Sequence, residues 1–361
     1  MSGNMAQRRQ ALAKRIAAGG VDAVVVSALP NIRYLCGFTG SNGLLLVRAD
    51  ASAVLFTDPR YEIQASWEAN CPVRITRKPL VKALASEIGR ERGARRIGFE
   101  PSRITQADYE ALASSLDRRA GLKPLPGIVE ALRMVKAPEE IEAIRRSMAI
   151  AAEAFEKTMG NVREGVRESE LAAELDYRMR RLGAEKPAFE TIVLFGENAA
   201  LPHGRPGQRA LRPGELILVD IGAVRDGYSS DMTRMAVAGR PGNRVKRLYQ
   251  IVLEAQQSAL EQLRPGVAGA AVDAVARHAL ARHGLANCFV HSTGHGVGLE
   301  IHEAPRLGKG ERKRMRPGMV VTVEPGIYIE GWGGVRIEDT VVVTSNGSDI
   351  LTPVSKELLV L

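Results

Sequence analysis

Short apolar runs alternate with amphipathic segments along the first third of the chain. Five of these runs are rich in Val, Leu, Ile or Phe and are bounded by turn residues, as β-strands are. They cover residues 21–27, 43–48, 53–58, 73–76 and 95–100. Between them, residues 60–68 and 80–93 repeat apolar side chains at helical spacing. This alternation predicts an α/β domain with a core of its own.

The first twenty residues predict an amphipathic helix rather than a secretory signal. Basic residues, Arg8 and Lys14 among them, are mixed with Ala and Gln, and Gly19 and Gly20 end the segment. A signal peptide would need an uninterrupted apolar stretch, which this segment lacks. No segment of the chain approaches the ~18 apolar residues of a membrane span. We therefore expect a cytoplasmic protein with no membrane partner.

A second domain is predicted to begin near residue 133. A chain of 361 residues exceeds the usual size of one hydrophobic core, so two domains are expected. Pro138 suits the first turn of a helix that continues to about Met159. We therefore divide the chain into residues 1–132 and residues 133–361.

The second domain contains an internal repeat. The segment LRPGELILVDIG, residues 211–222, aligns with MRPGMVVTVEPG, residues 315–326. Further along, residues 231–233 align with residues 338–340, and a Gly-Val pair precedes each copy. Each copy predicts two helices followed by two strands, with an acid on each strand. Two such units are expected to pack as a pseudo-two-fold pair, with sheets inside and helices outside.

The acids of the first copy lie where an uncompensated charge is costly. Asp220 ends an apolar run, and Asp231 follows the turn at residues 225–227. If the centre of the hairpin lies between residues 225 and 226, the two acids are directly opposite each other. If it lies between residues 226 and 227, Asp220 is opposite Thr233 and Asp231 is a diagonal neighbour. Strand alternation puts both acids on one face in either register.

The second copy repeats this arrangement and completes a candidate metal site. Glu324 and Glu338 lie at equal distances from a turn near Gly331, so strand alternation places them on one face of the second hairpin. Pseudo-symmetry of the two copies then brings four carboxylates to one centre. His295 adds an imidazole on the Gly-flanked segment STGHGVG. Buried carboxylates cost several kcal/mol each unless cations neutralise them. Four acids and one His are a ligand set for two divalent ions about 3.5–4 Å apart.

The residue types also indicate which metal to expect. Oxygen-rich ligation favours Mn, and Co, Fe or Zn can compete for the same site. The alternative to a metal centre is that ordinary salt bridges with Arg234 or Arg336 neutralise the acids. A single pair of arginines cannot satisfy four carboxylates, so the metal centre is the favoured interpretation.

Composition adds little beyond excluding some partners. The chain has 50 Lys and Arg against 41 Asp and Glu, a formal charge of +9, but the charges are mixed along most segments. The one dense basic run, residues 309–316, is short, so we expect no nucleic-acid partner. Three well-separated cysteines argue against a disulfide framework and favour a reducing compartment.

Four segments together resemble a known family. VDIGAVRDGYSSD, HSTGHGVGLEIHE, VEPGIY and GVRIEDT are similar to the Xaa-Pro peptidases, prolidase and aminopeptidase P. The resemblance covers the whole chain. It implies an α+β protein, in which an α/β creatinase-like domain precedes a pita-bread metallopeptidase domain, and it implies a homodimer. It also implies that the five metal ligands are Asp220, Asp231, His295, Glu324 and Glu338.

The resemblance extends to residues around the ligands. His203, His291 and His302 occupy family positions that bind substrate and stabilise the tetrahedral intermediate. Tyr328 and Arg336 match positions that line the same site and bind substrate. For Glu324 we add a catalytic role, because a ligating carboxylate can also take up the proton of the attacking water.

The implied reaction is hydrolysis of the bond before proline. An X-Pro bond has no N–H, so a site that needs only the carbonyl oxygen suits it. We favour an Xaa-Pro aminopeptidase, because residues 31–43 look more like that branch, with an Xaa-Pro dipeptidase as the alternative. A methionine aminopeptidase would lack the preceding domain. A metal-free creatinase-like hydrolase or a non-catalytic binding protein would lack the five ligands.

Overall fold

The computed structural model describes residues 2–90, 95–117 and 120–361, and the chain forms two compact units, Met1–Arg133 and Met134–Leu361. In the described part of the chain, no helix is long and apolar enough to cross a membrane. Each unit has buried apolar clusters of its own.

The first unit is built on one mixed six-stranded sheet with the order β4-β3-β2-β1-β5-β6. Its strands are β1 (Ala23–Val26), β2 (Leu44–Arg48), β3 (Ala53–Thr57), β4 (Val73–Ile75), β5 (Arg96–Phe99) and β6 (Gly121–Pro124). Its helices are α1 (Ser2–Ala18), α2 (Leu29–Cys36), α3 (Glu62–Glu68), α4 (Leu80–Arg90), α5 (Gln106–Ser115) and α6 (Glu130–Arg133). The strands β1 to β3 are antiparallel neighbours, whereas β5 and β6 run parallel to β1.

The apolar pattern predicted most of this unit. All five expected strands are present, and four of them are mostly buried, whereas β4 is partly exposed. The helices at 60–68 and 80–93 correspond to α3 and α4, and residues 91–93 lie outside the described residues. The pattern missed α2, α5 and β6. β6 is mostly exposed and α2 begins with Leu-Pro, so neither shows a clear period.

The second unit begins each half with a helical pair. The pairs are α7 (Pro138–Met159) with α8 (Glu168–Arg181), and α9 (Asn243–Gln262) with α10 (Gly269–Ala281). The strands of the first half are β7 (Lys186–Pro187), β8 (Ile192–Phe195), β9 (Leu216–Ile221), β10 (Ala223–Arg225), β11 (Tyr228–Ser229) and β12 (Met232–Val237). Helices α7 and α8 pack against β8, β9 and β12 through a buried apolar cluster.

The strands of the second half repeat this plan. They are β13 (Gly294–Gly296), β14 (Glu303–Leu307), β15 (Val320–Val323), β16 (Gly326–Ile329), β17 (Gly333–Arg336), β18 (Asp339–Val343), β19 (Ser348–Ile350) and β20 (Leu359–Val360). The sheet of the second half has the order β14-β13-β15-β18-β19, whereas the last strand, β20, joins the sheet of the first half, which has the order β20-β12-β9-β8. In both halves an antiparallel hairpin, β9 with β12 or β15 with β18, follows the two helices.

The internal repeat is visible in individual hydrogen bonds. Gly165 N–H donates to the Leu211 carbonyl at 2.9 Å, and Gly266 N–H donates to the Met315 carbonyl at 2.9 Å. Both glycines have φ near +85°, which favours glycine over other residues. In each copy a backbone hydrogen bond therefore links the Gly-Val turn to the residue before the Arg-Pro-Gly turn. This contact explains why both elements recur in the sequence.

We predict that Leu175→Ala lowers the free energy of unfolding by about 2–5 kcal/mol, because it leaves a cavity in a closed apolar cluster. Leu175 is fully buried on α8. On the same helix, Tyr177 is 56% exposed, and Tyr177→Ala should change stability by no more than about 0.5 kcal/mol. Urea unfolding followed by circular dichroism measures both variants. Equal losses would contradict this packing.

Candidate metal centre

The first acidic pair takes the second of the two registers that the sequence allows. Thr233 lies opposite Asp220, and the turn residues Asp226 and Gly227 both have positive φ. Asp231 is therefore a diagonal neighbour of Asp220. The two carboxylates share a face of the hairpin without direct cross-strand opposition, which lowers their repulsion.

Thr233 connects the two hairpins. Its hydroxyl donates to Glu338 Oε2 at 2.7 Å and accepts from Arg336 Nε at 3.0 Å. In the second hairpin, Val323 pairs with Asp339 and Gly326 pairs with Arg336, so Glu324 and Glu338 lie opposite each other. The cross-hairpin bonds fix the second acidic pair against the first.

The five predicted ligands converge on one cavity of about 620 Å³. Ligand atoms of Asp231, His295 and Glu338 lie within 4.8 Å of one another. His295 Nε2 is 3.5 Å from Asp231 Oδ2 and 3.4 Å from Glu324 Oε1. Asp220 lines the same cavity. The structure thus brings together the two hairpins and the imidazole in the way that the repeat predicts.

The backbone around His295 explains its glycines. A Cβ atom on Gly294 would lie 1.9 Å from the Thr322 carbonyl oxygen, which no side chain permits. His295 Nδ1 donates to the Gly296 carbonyl at 3.0 Å, so Nε2 faces the acids without a proton. Burial, and then the neighbouring His302, lower the pKa of His295 to about 4. A neutral imidazole with a free nitrogen is the form that binds a metal.

Burial of the acids is expensive without a cation. Desolvation, and then the Glu338 and Asp220 carboxylates, raise the pKa of Asp231 well above its usual value. Desolvation and the neighbouring acids raise the pKa of Glu338 in the same way. Desolvation also raises the pKa of Glu324 to about 8, with Arg336 opposing the shift. The three carboxyl groups therefore cannot all be ionised without a large free-energy cost, and bound divalent cations would relieve that cost.

The salt-bridge alternative accounts for only one of the four acids. Arg336 is buried and donates to Asp220 Oδ2 at 2.6 Å and to the Tyr328 hydroxyl at 2.7 Å. Arg234 lies on strand β12 and donates to Asp339 Oδ1 at 2.7 Å and to the Glu338 main-chain carbonyl, but it makes no ion pair with the carboxylate of a proposed ligand in the described chain. Asp220 Oδ1 is buried and has no hydrogen-bond partner among the described residues. An orphaned carboxylate oxygen beside three further acids fits a divalent metal.

The three outer histidines line the same cavity. His291 Nδ1 donates to the Ser292 carbonyl at 2.8 Å, and its Nε2 accepts from the Tyr328 hydroxyl at 2.8 Å. The ring of His302 stacks edge-on against His295 with centroids 4.3 Å apart. Tyr328 lies behind this wall, where it joins His291 to Arg336. Ten predicted residues therefore form one connected site.

Comparison with known proteins identifies the family. The sequence model of metallopeptidase family M24 matches residues 142–345, and that of the creatinase/prolidase N-terminal domain matches residues 8–135. The chain belongs to metallopeptidase family M24. This membership confirms the resemblance that the four motifs carry, and it makes the protein a metallopeptidase. It also confirms the fold class, a pita-bread domain preceded by a creatinase-like domain.

Three relatives of this M24 peptidase show how far the similarity extends. An Xaa-Pro dipeptidase of Pyrococcus horikoshii is 38% identical over 342 residues, 94% of this chain and 95% of that one. The structure of an Xaa-Pro dipeptidase from Bacillus anthracis has a TM-score of 0.95 and 38% identity, covering 99% of this chain and 100% of that chain. An X-Pro aminopeptidase from Thermotoga maritima has a TM-score of 0.89 and 36% identity, covering 95% and 98%.

Sequence reasoning missed several residues of the M24 site. Phe189, Pro202 and Ile301 form apolar parts of the cavity wall, and Arg205 and Arg306 add positive charge. Most of these residues lie in loops without a regular period, so the apolar pattern does not mark them. Arg306 is an exception, because it is the cross-strand partner of His295 on β14. A strand predicted beside the STGHGVG segment would have pointed to it.

We predict that the metal-free protein loses thermal stability as the pH rises from about 6.5 towards about 8, since below this window the lowered pKa values of His291 and His295 act in the opposite direction. Folded Glu324 keeps its proton in this window while the unfolded chain releases its own, so rising pH favours unfolding. Glu324→Gln should weaken this slope and should melt above the wild type at pH 8.

Scanning calorimetry with a chelator measures this effect. Glu330→Gln removes an exposed carboxylate of the same half and serves as the control, with the slope of the wild type. Identical slopes for Glu324→Gln and the wild type would contradict the burial cost at Glu324.

Proposed function

We propose that this M24 peptidase hydrolyses the X-Pro bond of dipeptides with the help of two divalent metal ions. The observation that carries the proposal is the buried set of four carboxylates and one neutral imidazole, in which no described residue bonds to Asp220 Oδ1. The relatives favour a dipeptidase over the aminopeptidase that the sequence pattern suggested, since similar full-length relatives are Xaa-Pro dipeptidases.

Asp220, Asp231, His295, Glu324 and Glu338 would hold the metal ions. Their oxygen-rich composition favours Mn, and Co, Fe or Zn can also fit such a set. When bound, the metal ions supply an activated water and polarise the scissile carbonyl. Metal binding is also expected to remove the repulsion among the buried acids, so it should raise the stability of the folded protein as well as its activity.

Glu324 is suited to take up the proton of the attacking water. The Thr322 hydroxyl donates to Glu324 Oε1 at 3.0 Å and holds the carboxylate in one orientation. The charge of a bound divalent ion would keep this carboxylate ionised, so Glu324 would be able to accept a proton from the attacking water. From Glu324 the proton can pass to the leaving proline nitrogen, which has no hydrogen of its own before cleavage.

The outer histidines divide two tasks. His302 makes no hydrogen bond with a described residue, so its ring can donate to the oxygen on which negative charge develops. Both nitrogens of His291 are engaged, which makes it a fixed part of the cavity wall that contacts substrate. His203 lines the cavity from the loop that also contributes Pro202 and Arg205, where it can bind substrate. Arg336 and Tyr328 hold Asp220 and His291 in these places.

The cavity wall supports a preference for dipeptides. Three arginines of the described chain line it. Arg336 is paired with Asp220 and Arg205 is paired with Glu190 at 3.1 Å, but Arg306 makes no ion pair with a described residue. A dipeptide ends in a free carboxylate directly after proline, and a guanidinium can bind it with two hydrogen bonds. Arg306 is therefore the cation that we assign to that carboxylate.

Two further expectations from the sequence are proposals as well. We propose that the enzyme works in the cytoplasm as a homodimer, without nucleic-acid or membrane partners. Light scattering of the purified enzyme measures its assembly state directly. Neither property changes the residues that form the centre.

We predict that a chelator abolishes X-Pro hydrolysis and that added Mn restores it. Glu324→Gln and Asp231→Asn should each lower kcat by about 100-fold or more at saturating Mn, because each removes a carboxylate from the centre. The exposed Glu330→Gln variant should retain the activity of the wild type. Full turnover by Glu324→Gln at saturating metal would refute its role in proton transfer.

We predict that Arg306→Leu raises KM for Ala-Pro by roughly tenfold or more, because a charge-assisted pair with the substrate carboxylate is lost. The same variant should bind Ala-Pro-amide, which lacks that charge, as the wild type does. Arg312→Leu removes an exposed arginine from the neighbouring basic run and serves as the control. Wild-type preference for Ala-Pro-Pro over Ala-Pro would instead support the aminopeptidase.

A further inference from the structure

Helix α10 carries an ion pair that contacts the segment before His295. Asp273 and Arg277 are one helical turn apart, and two nitrogens of the guanidinium donate to the two carboxylate oxygens at 2.7 and 3.1 Å. The Asp273 side chain is 2% exposed and that of Arg277 is 20% exposed. A buried pair of this kind adds little net stability, because desolvation offsets the attraction. Its contacts beyond the helix therefore indicate its role.

Arg277 binds the segment that carries His291. Its guanidinium donates to the Phe289 carbonyl at 3.0 Å and to the His291 carbonyl. The guanidinium also lies 4.3 Å from the centre of the Phe289 ring, and that ring packs edge-on against His291 at 5.0 Å. Residues 286–288 before this segment form a single 3-10 turn, so regular secondary structure gives little support here. The arginine supplies the missing support.

Asp273 binds the far end of the same segment. Its Oδ1 accepts from the Thr293 amide at 3.1 Å and from the Thr293 hydroxyl at 2.9 Å. The Thr293 carbonyl in turn accepts a hydrogen bond from the Glu324 amide at 2.8 Å. The two side chains therefore hold residues 289–293 at both ends.

The held segment continues into the centre through His291. Its Nε2 accepts from the Tyr328 hydroxyl, which accepts from Arg336, and Arg336 pairs with Asp220. A displaced His291 would leave the Tyr328 hydroxyl without its acceptor and would change the cavity wall. A shift of about 1 Å in such a group is enough to lower a reaction rate strongly.

We propose that Asp273 and Arg277 are positioning residues that hold segment 289–293 so that His291 faces the substrate cavity. The inference rests on the proposed function, in which His291 contacts substrate. The two residues act through His291 and touch neither the substrate nor the metal ions.

The preceding helical pair offers a matched control. On α8, Arg178 donates to Glu174 at 2.6 Å, also one turn apart. The Glu174 side chain is 44% exposed, and neither residue lines the cavity. Arg178→Leu thus removes an ion pair of the same spacing from a helix in the equivalent place of the repeat.

We predict that Arg277→Leu lowers kcat for Ala-Pro by about 10- to 100-fold with little change in KM. In a His291→Ala background, the same substitution should change kcat by no more than about twofold, because the residue through which it acts is gone. Arg178→Leu should leave kcat unchanged in both backgrounds. Arg277→Lys keeps the positive charge but not the planar set of guanidinium donors, so it should fold and lose less kcat than Arg277→Leu does.

A second measurement does not depend on activity. Hydrogen exchange of the metal-free protein, followed by mass spectrometry, should become faster in residues 289–293 for Arg277→Leu and Arg277→Lys but not for Arg178→Leu. Additive effects of Arg277→Leu and His291→Ala on kcat would overturn the proposal, and so would unchanged exchange in this segment. An inactive wild-type enzyme would refute the proposed function, while the exchange data would still decide whether the pair holds the segment.

Discussion

The whole second unit depends on keeping four carboxylates buried at one point with a single guanidinium beside them. Arg336 pairs with Asp220, and the other three acids carry raised pKa values because burial and mutual repulsion oppose their charge. Each hairpin supplies two of the acids, so the repulsion acts both within and between the hairpins. The protein therefore holds a high-energy arrangement in the metal-free state, and the hydrogen bonds of Thr233 across the two hairpins keep it closed.

The repeat supplies the acids symmetrically, but the surroundings are not symmetric. The Gly-Val and Arg-Pro-Gly turns meet through the same hydrogen bonds in both halves. In contrast, His295 belongs to the second half alone, and the buried partners of Thr233 differ from those of Thr340, which donates to the Asp231 carbonyl. The symmetry creates a place for cations, and the departures from symmetry give the cavity a direction in which a peptide can be bound and cleaved.

The sequence predicted the site better than the path of the chain around it. The four acids meet because they lie inside apolar strands, where period-two alternation leaves them a common face, whereas the outer histidines, Tyr328 and Arg336 were expected from the family resemblance alone. The register stayed open between two choices, although Asp226-Gly227 is the pair that a type I′ turn requires, and both residues do adopt positive φ. Arg306 needed strand β14 to be predicted beside His295, and Arg277 could not be found in this way. The role of Arg277 depends on contacts with a separate segment, the carbonyls of residues 289 and 291.

Substrate length has to be recognised away from the metal centre. In the proposed reaction, metal ions held by the acids and His295 would polarise the scissile carbonyl, and this group is identical in an X-Pro dipeptide and in a longer X-Pro peptide. The two substrates differ in the group attached after proline, a charged carboxylate in one case and a neutral amide in the other. A neutral amide gains little from a guanidinium, whereas a carboxylate gains a charge-assisted pair. A cation on the cavity wall that no acid already neutralises would therefore favour dipeptides, and among the described wall residues Arg306 meets that condition.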